Sequence, residues 1–291
     1  MPVRIARRVL LAAPLLAAPF LARSAFADDA ISKFTDLEAR NGGRLGVAAY
    51  DTTNGRRLGH RSDDRFPICS TFKFLAAALV LARVDRGEEQ LGRRVAYAEK
   101  DVVVNSPVTG SQAGTAGLSM AELCEAAMTQ SDNTAANLML ASFGGPAGLT
   151  AYLRSLGDMT TRLDRIEPDL NEALPDDPRD TTTPAAMVAT MERLLLRAVL
   201  SASSRKMLTG WLVANKTGDK RLRAGLPADW RVGDRTGTGA NGTANDIAIV
   251  WPGDDAPPIL IAVYYTGSTI SDEARNAVVA EAGGIVAASL K

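Results

Sequence analysis

Strand-like segments lie near both ends of this chain, and helical segments occupy the stretch between them. Near the start, residues 46–50 and 56–60 flank an Asn-Gly turn signal. Near the end, the segments at 230–239, 243–251 and 257–267 resemble three more strands. Because isolated strands are not stable, the two ends must meet in one antiparallel sheet. The pattern predicts an α+β fold, an α/β sandwich, in which a five-stranded antiparallel sheet flanked by helices receives an inserted all-helical lobe.

The inserted segment begins with a helix after Ser70 that is apolar nearly all round, as expected for a buried helix. Further helical patterns occur at 120–130, 134–145, 148–157 and 184–196, and the chain closes with an amphipathic helix at 272–290. The predicted division is a sheet-and-helix lobe of residues 28–68 and 216–291, and an all-helical lobe of residues 69–215.

Residues 1–27 have the features of a secretory signal peptide. A basic head precedes an apolar stretch broken by Pro14 and Pro19, and small residues end at Ala27, where cleavage is expected. The apolar run is too short for a membrane anchor. The pair Arg7-Arg8 leaves twin-arginine export open beside the ordinary route. The expected product is a soluble, secreted or periplasmic protein without a membrane anchor.

Charge and residue counts exclude several classes of function. The chain has 33 basic and 33 acidic side chains, which argues against a nucleic-acid partner. His60 is the only histidine, so a histidine-rich zinc site cannot form, and no metal is expected. A Ser–His–Asp triad would need His60, which lies at a polar strand end where a solvated side chain is expected. Cys69 and Cys124 are expected to be buried free thiols.

Ser70 and Lys73 lie one helical turn apart at the head of the apolar helix. A lysine at a helix start is commonly a surface group, but an unpaired ammonium in a buried helix is costly. Lys73 therefore needs acceptors, and burial should lower its pKa toward a value useful for proton transfer. The helix dipole and the free N–H of Ser70 suit a nucleophile. The S-x-x-K spacing alone is common and decides nothing.

Three further polar stretches follow. Residues 131–133 (Ser-Asp-Asn) lie between two helices, where helix capping explains them as well as chemistry does. Residues 165–184 are polar, rich in proline and poorly periodic, as in a functional loop, and Glu167 and Asn171 within them could hold a water molecule. Residues 235–237 (Arg-Thr-Gly) lie on a strand whose small residues let a ligand approach closely.

Taken in order, these motifs resemble the motif set of the class A serine β-lactamases. They are Ser-Thr-Phe-Lys at 70–73, Ser-Asp-Asn at 131–133, Glu-Pro-Asp-Leu-Asn at 167–171 and Arg-Thr-Gly at 235–237. One motif is weak evidence, but four in this order are specific, and the similarity spans essentially the whole chain after the leader. The resemblance implies a monomer that hydrolyses β-lactam antibiotics without a cofactor through a serine acyl-enzyme, and so confers resistance.

The resemblance also implies roles for individual residues. Ser70 attacks the lactam carbonyl, and the backbone N–H groups of Ser70 and Thr238 hold the oxyanion. Lys73 and Glu167 are the alternative bases for acylation. Glu167, together with Asn171, activates the hydrolytic water that releases the acyl group.

On the other side of the cleft, Ser131 is expected to pass a proton to the lactam nitrogen. Asn133 would position Lys73 and the amide side chain of the substrate, whereas Asp132 is expected to be structural. Thr236 and Gly237 belong to the strand that would bind the substrate.

The loop at 165–180 is expected to be an Ω-loop. By resemblance, an ion pair between Arg165 and Asp180 closes it. By the same resemblance, the peptide bond between Glu167 and Pro168 is expected to be cis, an isomer that costs far less before proline than elsewhere.

Several positions depart from the commonest family pattern. Arg235 stands where lysine is usual, so it can act only as a fixed cation, and it suits a bidentate contact with the substrate carboxylate. Arg221 resembles a second carboxylate-binding arginine, although a solvated charge explains it nearly as well. Asn105 replaces a common aromatic residue at the cleft mouth. Two disulfides found in some relatives are not possible, because their partner positions here are Ala77 and Gly239.

Two other functions share part of this motif set. A cell-wall D,D-peptidase would use the Ser–Lys, Ser-x-Asn and Lys-Thr-Gly groups but would not need Glu167 and Asn171, and it usually keeps a membrane anchor. A β-lactam sensor domain would stay acylated and would carry a membrane-tethered signalling segment. Neither an anchor nor such a segment is visible in the sequence.

Overall fold

The computed structural model describes residues 25–253 and 256–290. The predicted leader lies outside the described residues except for its last three positions, which begin a helix, α1, over Ala25–Asn41. The sequence patterns did not predict this helix, because its start coincides with the predicted cleavage site.

A five-stranded antiparallel sheet lies at the centre of the fold, which confirms the predicted fold class. Its strands are β1 (Arg44–Asp51), β2 (Arg57–His60), β7 (Arg231–Gly239), β8 (Thr243–Trp251) and β9 (Ile259–Thr266). The strand order is β2-β1-β9-β8-β7, so the two ends of the chain meet where β1 pairs with β9. Strand β7 is an edge strand, and its free side faces the helical part of the molecule.

Two short pairs of strands complete the β structure. They are β3 (Phe66–Pro67) with β6 (Thr181–Thr182), and β4 (Arg94–Val95) with β5 (Leu118–Ser119). The first pair joins the segment before Ser70 to the end of the 165–180 loop.

The described residues contain eight further α-helices. They are α2 (Phe72–Asp85), α3 (Met120–Gln130), α4 (Asn133–Ala141), α5 (Gly145–Ser155), α6 (Pro184–Leu196), α7 (Ala202–Val213), α8 (Leu222–Gly225) and α9 (Asp272–Leu290). The predicted helices at 120–130, 184–196 and 272–290 have these bounds, whereas α7 and α8 were not predicted.

The two faces of the sheet pack against different sets of helices. On β9, Leu260, Ala262 and Tyr264 face the core shared with α2–α7, while the alternate residues face α1 and α9. This alternation follows from the two-residue period of a strand, and both faces are apolar because both are covered. Helix α6 packs directly on β1 and β9, although the predicted lobe division places it with the helices.

Helix α2 is the most buried helix of the core. All its residues from Phe72 to Ala82 are buried, which confirms the expectation from its apolar sequence. A helix surrounded on all sides is held by packing rather than by its own propensity, so its first turn is rigidly placed.

His60 is not solvated, and the prediction of a solvated side chain is wrong. Its side chain is 10% exposed, and its Nε2 lies 3.5 Å from Oε2 of Glu38. Its ring also lies 6.0 Å from the ring of Phe34, centroid to centroid. Glu38 and Phe34 belong to α1, the helix that the sequence patterns missed, and this helix covers the end of β2.

Candidate active site

Ser70 lies in a short 3₁₀ turn, Cys69–Thr71, that leads into α2. Cys69 has a φ of 43°, a left-handed conformation that is rare for a residue with a side chain. The Thr71 hydroxyl stabilises the turn by donating to the carbonyl of Ile68 at 2.6 Å. The turn places Ser70 at the bottom of an open cavity of about 440 Å³.

Lys73 is completely buried and surrounded by acceptors. Its Nζ donates to the carbonyl of Ser131 at 2.9 Å and to Oδ1 of Asn133 at 2.6 Å, and it lies 3.0 Å from Oε1 of Glu167. Burial lowers the pKa of Lys73 to about 8, although the Glu167 carboxylate acts in the opposite direction; the charge of Arg235 lowers it further. The predicted direction of this pKa shift is confirmed.

The Ser-Asp-Asn stretch at 131–133 connects α3 to α4 and also places the Ser131 hydroxyl beside Ser70. Ser131 ends α3 with a φ of 60°, and Asp132 caps α4 by accepting from the N–H of Ala135. Asp132 also accepts from the N–H and hydroxyl of Thr109, so it holds the neighbouring loop in place. The Ser131 hydroxyl donates to the hydroxyl oxygen of Ser70 at 3.3 Å.

The loop at 165–180 brings Glu167 to the nucleophile. Arg165 Nε lies 2.6 Å from Asp180 Oδ2, and the Glu167–Pro168 bond is cis, which confirms both predictions about this loop. The Ser70 hydroxyl donates directly to Oε1 of Glu167 at 3.1 Å. Ser70 and Lys73 therefore share one carboxylate oxygen.

Asn171 lies beside Glu167 at the floor of the same cavity. Its Nδ2 donates to Oε2 of Glu167. Its Oδ1 is buried and has no hydrogen-bond partner among the described residues. A buried acceptor without a donor is unusual in a folded protein, so this oxygen marks a place for a small donor such as water.

Asn137 is a residue at this site that the sequence analysis missed. It lies inside α4, and its side chain accepts from the backbone N–H of Glu167 at 2.9 Å and donates to the carbonyl of Glu167 at 2.9 Å. Its only signal in the sequence is an amide in an apolar helix, one turn after Asn133. It fixes the backbone that carries the Glu167 carboxylate.

Arg235 is fully buried beneath the cleft. One terminal nitrogen donates to Oγ of Ser131 at 2.8 Å and the other to the carbonyl of Thr236 at 2.8 Å. The predicted bidentate contact with a substrate carboxylate is wrong, because no part of the guanidinium is exposed. Burial lowers the pKa of Arg235 to about 10, opposed by the charge of Glu167, so it remains a cation at neutral pH.

Arg221 is also buried, so the alternative of a solvated charge is wrong. Its guanidinium donates to the carbonyls of Gly237 and Asn245 at 2.7 Å each, and to the hydroxyl of Thr238 at 2.7 Å. Burial lowers its pKa from the usual arginine value, and nearby carboxyl groups oppose this effect. Arg221 thus lies directly behind the edge strand β7 and orients the exposed Thr238 side chain.

Close backbone contact at β7 explains the small residues of this strand. A Cβ atom on Gly237 would lie 3.2 Å from the backbone nitrogen of Ser70. A Cβ on Gly239 would lie 2.7 Å from Sγ of Cys69, so this is the position opposite Cys69, as expected. With glycine there, no disulfide forms, and both Cys69 and Cys124 are free and buried as predicted.

The cavity at Ser70 brings together residues from all four motifs. Its lining includes Ser70, Asn105, Ser131, Asn171, Thr236 and Thr238. Asn105 is exposed at the rim, and its carbonyl accepts from the N–H of Asn133 at 3.0 Å. Lys73, Asn133, Glu167 and Gly237 lie at or just beneath this surface, so the structure brings the predicted site residues into one region.

A larger cavity of about 630 Å³ lies elsewhere, between the 173–178 segment and the ends of β3 and β9. It is lined by residues such as Arg44, Leu174 and Asn241, and by none of the predicted site residues. Size alone therefore does not identify the reactive site; the chemistry is at the smaller cavity.

Over residues 25–253 and 256–290, no three His, Cys, Asp or Glu side chains are grouped as metal ligands would be. No helix in those same ranges is long and apolar enough to span a membrane.

The arrangement at Ser70 suits acyl transfer. A hydroxyl nucleophile contacts a carboxylate, a lysine of lowered pKa lies next to the same carboxylate, and a second hydroxyl connects the nucleophile to a buried cation. Such sites can form an ester on serine and then hydrolyse it.

Comparison with known proteins agrees with this chemistry. The family model described as the β-lactamase enzyme family matches residues 29–290. The chain is 47% identical over 280 residues to β-lactamase L2 of Stenotrophomonas maltophilia, covering 94% of this chain and 92% of that protein. It is 50% identical over 267 residues to β-lactamase AST-1 of Nocardia asteroides, covering 92% of this chain and 84% of that protein.

Solved structures give the same result. The class A β-lactamase of the last common ancestor of Gram-negative bacteria is 62% identical, with a TM-score of 0.88, over 90% of this chain and 99% of that one. Identity at this level over nearly the full length exceeds what a shared fold alone would produce. The chain therefore belongs to the class A β-lactamases and hydrolyses the β-lactam ring.

Proposed function

We propose that Ser70 is the nucleophile of this hydrolysis and that each turnover passes through an acyl-enzyme on its Oγ. The carbonyl carbon of the lactam binds Oγ as the C–N bond of the ring breaks, and the Ser70 proton leaves to a base. Glu167 and Lys73 are the two candidate bases, because Oε1 of Glu167 lies within 3.1 Å of Ser70 Oγ and within 3.0 Å of Lys73 Nζ. Backbone N–H groups of Ser70 and Thr238 stabilise the oxyanion.

The departing ring nitrogen receives its proton from Ser131. Its hydroxyl lies 3.3 Å from Ser70 Oγ and 3.2 Å from Lys73 Nζ, so a proton taken from Ser70 has a short path back to the substrate. Arg235 donates to the same hydroxyl at 2.8 Å and favours the form of Ser131 that has given up its proton.

Deacylation uses a water molecule held by Glu167 and Asn171 within the Ω-loop. The observation that carries this assignment is the buried, unpartnered Oδ1 of Asn171 next to the Glu167 carboxylate. Glu167 takes a proton from the water, whose oxygen attacks the ester carbonyl and releases Ser70. A D,D-peptidase or an acylated sensor does not need this pair.

The substrate carboxylate binds at the β7 end of the cavity. Hydroxyls of Thr236 and Thr238 face this end, and Arg221 and Arg235 supply positive charge from beneath it. Asn133, which holds Lys73, and Asn105 at the rim contact the amide side chain of the substrate. Because Arg235 is buried, it acts through its charge and through Ser131 rather than by direct contact.

The test is Glu167→Ala with a penicillin. We expect Ser70 to be acylated and the acyl-enzyme to accumulate, seen by mass spectrometry as a stable adduct on the peptide that contains Ser70. Ser70→Ala is the control and should give no adduct. Normal turnover by Glu167→Ala would show that deacylation uses another base, and an adduct on another residue would exclude Ser70.

We also propose that the protein is exported, cleaved after Ala27, and active as a monomer that confers β-lactam resistance on its host. Expression of the full chain in a susceptible bacterium should raise resistance, and the exported protein should begin at Asp28. A protein that stays uncleaved in the cytoplasm, or that elutes as a dimer, would contradict the respective part of this proposal.

A further inference from the structure

Asp246 is a buried acid that has no part in the mechanism above. It lies on β8 directly opposite Thr236 of β7, and paired residues of an antiparallel sheet point to the same face. Thr236 lines the active-site cavity. Asp246 is therefore one side chain away from the end of the cavity proposed to bind the substrate carboxylate.

Asp246 lacks the donors that a buried carboxylate needs. Its side chain is fully buried, its Oδ2 accepts only from the N–H of Leu222 at 3.1 Å, and its Oδ1 has no partner in the described part of the chain. An ionised carboxylate with one hydrogen bond and no ion pair is very unfavourable in a protein interior.

The neighbouring arginines are all bound to other groups. Every nitrogen of the Arg221 guanidinium donates elsewhere: to Asn276, to two backbone carbonyls and to Thr238. Arg223 donates through Nε to Asp234 at 2.6 Å. The terminal nitrogens of Arg235 donate to Ser131 and to the Thr236 carbonyl.

Asp234 provides an internal comparison. It is as deeply buried as Asp246, but it accepts from Arg223 at 2.6 Å and from Nδ2 of Asn215 at 2.9 Å. When two buried carboxyl groups lie near each other, the one with a cation ionises and the other retains its proton. Asp234 has the cation and Asp246 does not.

We propose that Asp246 is held as a neutral carboxylic acid, so that the positive charge of Arg221 and Arg235 beneath the carboxylate-binding end of the cavity is not cancelled. Asp246 is a positioning residue, because it does not touch the substrate. It acts on the substrate only through Arg221, Arg235 and the backbone N–H of Leu222. The inference rests on the proposed binding of the substrate carboxylate at this end.

The electrostatic surroundings agree with a neutral acid. Burial raises the pKa of Asp246 well above the usual aspartate range, the charge of Asp234 raises it further, and Arg221 opposes both. The titratable or charged groups near it on the surrounding elements include Asp234 and Arg235 on β7, Tyr264 and Tyr265 on β9, Arg221 and Arg223 at α8, Arg275 on α9, and Cys69.

The first test measures protonation without catalysis. Infrared spectra of the unmodified protein with labelled aspartate should contain a band of a protonated carboxylic acid that is absent from Asp246→Asn. In the unfolded chain Asp246 ionises near its ordinary pKa of 3.8, while the folded state keeps the proton. The folded state then binds more protons, so the unmodified protein should lose stability relative to Asp246→Asn as the pH rises above about 4.

The matched control is the same change at the neighbouring acid. Asp234→Asn should lower the Tm at neutral pH, because it leaves Arg223 without its partner, whereas Asp246→Asn should not lower it. If Asp246→Asn lowers the Tm as Asp234→Asn does, fails to fold, or leaves the infrared band in place, Asp246 is not a neutral acid and the proposal is wrong.

The second test measures the effect on substrate binding. We expect the KM of Asp246→Asn for a penicillin to stay within about twofold of the unmodified protein at neutral pH, because one neutral group replaces another. Removal of a real negative charge would instead lower the KM, since two charges on the order of 10 Å apart at an effective dielectric of about 20 interact strongly enough for a change of roughly tenfold. Such a decrease would overturn the proposal.

If the substrate carboxylate does not bind at this end of the cavity, the results differ from those expected if the proposal about Asp246 is wrong. In that case Arg235→Ala would leave the KM of carboxylate-bearing substrates unchanged, while the infrared and Tm results on Asp246 would stand. We expect Arg235→Ala to raise this KM by roughly tenfold, because the positive charge beneath the bound carboxylate is lost.

Discussion

The base for acylation can be identified through the pKa of Lys73. Burial lowers this pKa to about 8, and the Glu167 carboxylate limits the decrease. In Glu167→Gln the carboxylate is gone, so the pKa of Lys73 should fall below about 8. If Lys73 is the base that activates Ser70 in this variant, the rate of acyl-enzyme formation should rise with pH around a midpoint below 8.

The measurement is the pre-steady-state rate of Ser70 acylation in Glu167→Gln from well below to well above neutral pH. Glu172→Gln is the matched control, because it neutralises an exposed carboxylate on the same loop that pairs with Arg165 instead of Lys73. We expect it to leave the pH dependence of the unmodified protein in place. Acylation of Glu167→Gln that does not depend on pH would show that Lys73 is not the base.

At the residue scale, the sequence predicted which polar groups meet and that Lys73 is buried, but it did not predict the burial of Arg221 and Arg235. Lys73 was found because it places an ammonium in an apolar helix, whereas Ser70 and Glu167 were found through the order of the four motifs and their resemblance to the family. Asn137 and Asp246 were missed because an amide in a helix and an acid in a strand are ordinary in sequence. Their partners are backbone groups distant along the chain, which no local pattern encodes.

At the scale of elements, the position of the Ω-loop depends on helix α4. Asn137 on this helix makes two hydrogen bonds of 2.9 Å to the backbone of Glu167. We expect Asn137→Ala to slow deacylation by on the order of tenfold, because a misplaced carboxylate activates water poorly. Acylation should slow less if Lys73 can serve as its base. The two rates can be separated by single-turnover kinetics with a penicillin.

Thr150→Val is a control for Asn137→Ala. It removes side-chain hydrogen bonds to the backbone just before the Ω-loop and leaves the contacts of Glu167 in place. The Thr150 hydroxyl on α5 also makes two bonds to one backbone unit, at 3.0 Å each to the N–H and carbonyl of Leu163. We expect this variant to lose stability while its deacylation rate stays unchanged. Equal slowing in both variants would mean that general loosening of the loop, and not the placement of Glu167, limits the reaction.

The elements that the sequence failed to predict share a physical cause. Helix α7 contains serines, a lysine and a glycine among its apolar residues, so its periodicity is weak and its stability comes from packing on α2 and β7. Helix α8 has only four residues and no pattern to detect. Strands β8 and β9 were predicted closely because they are largely apolar, continuous and bounded by turn residues.

At the scale of the whole molecule, Glu38 of α1 connects this first described helix to the sheet by hydrogen bonds. Its carboxylate accepts from the backbone N–H of Leu45 at 2.8 Å and from Arg61 at 2.8 and 2.7 Å. Burial acts to raise the pKa of Glu38, but these hydrogen bonds outweigh it and hold the pKa at about 2. This tether also encloses His60, which explains why a polar histidine at a strand end is not solvated.

Glu38→Gln should therefore lower the Tm at neutral pH by a few degrees and leave kcat unchanged below the transition. Because the folded pKa is lower than the unfolded value of 4.5, the stability from Glu38 is complete above that value and is lost as the pH falls through about 2. The Tm difference between Glu38→Gln and the unmodified protein should shrink over this interval. Glu281→Gln is the control, since its pair with Arg40 is about half exposed on both sides and should contribute little at any pH. A Tm difference for Glu38→Gln that persists at the lowest pH would show that the shape of the side chain, and not its charge, fastens α1 to the sheet.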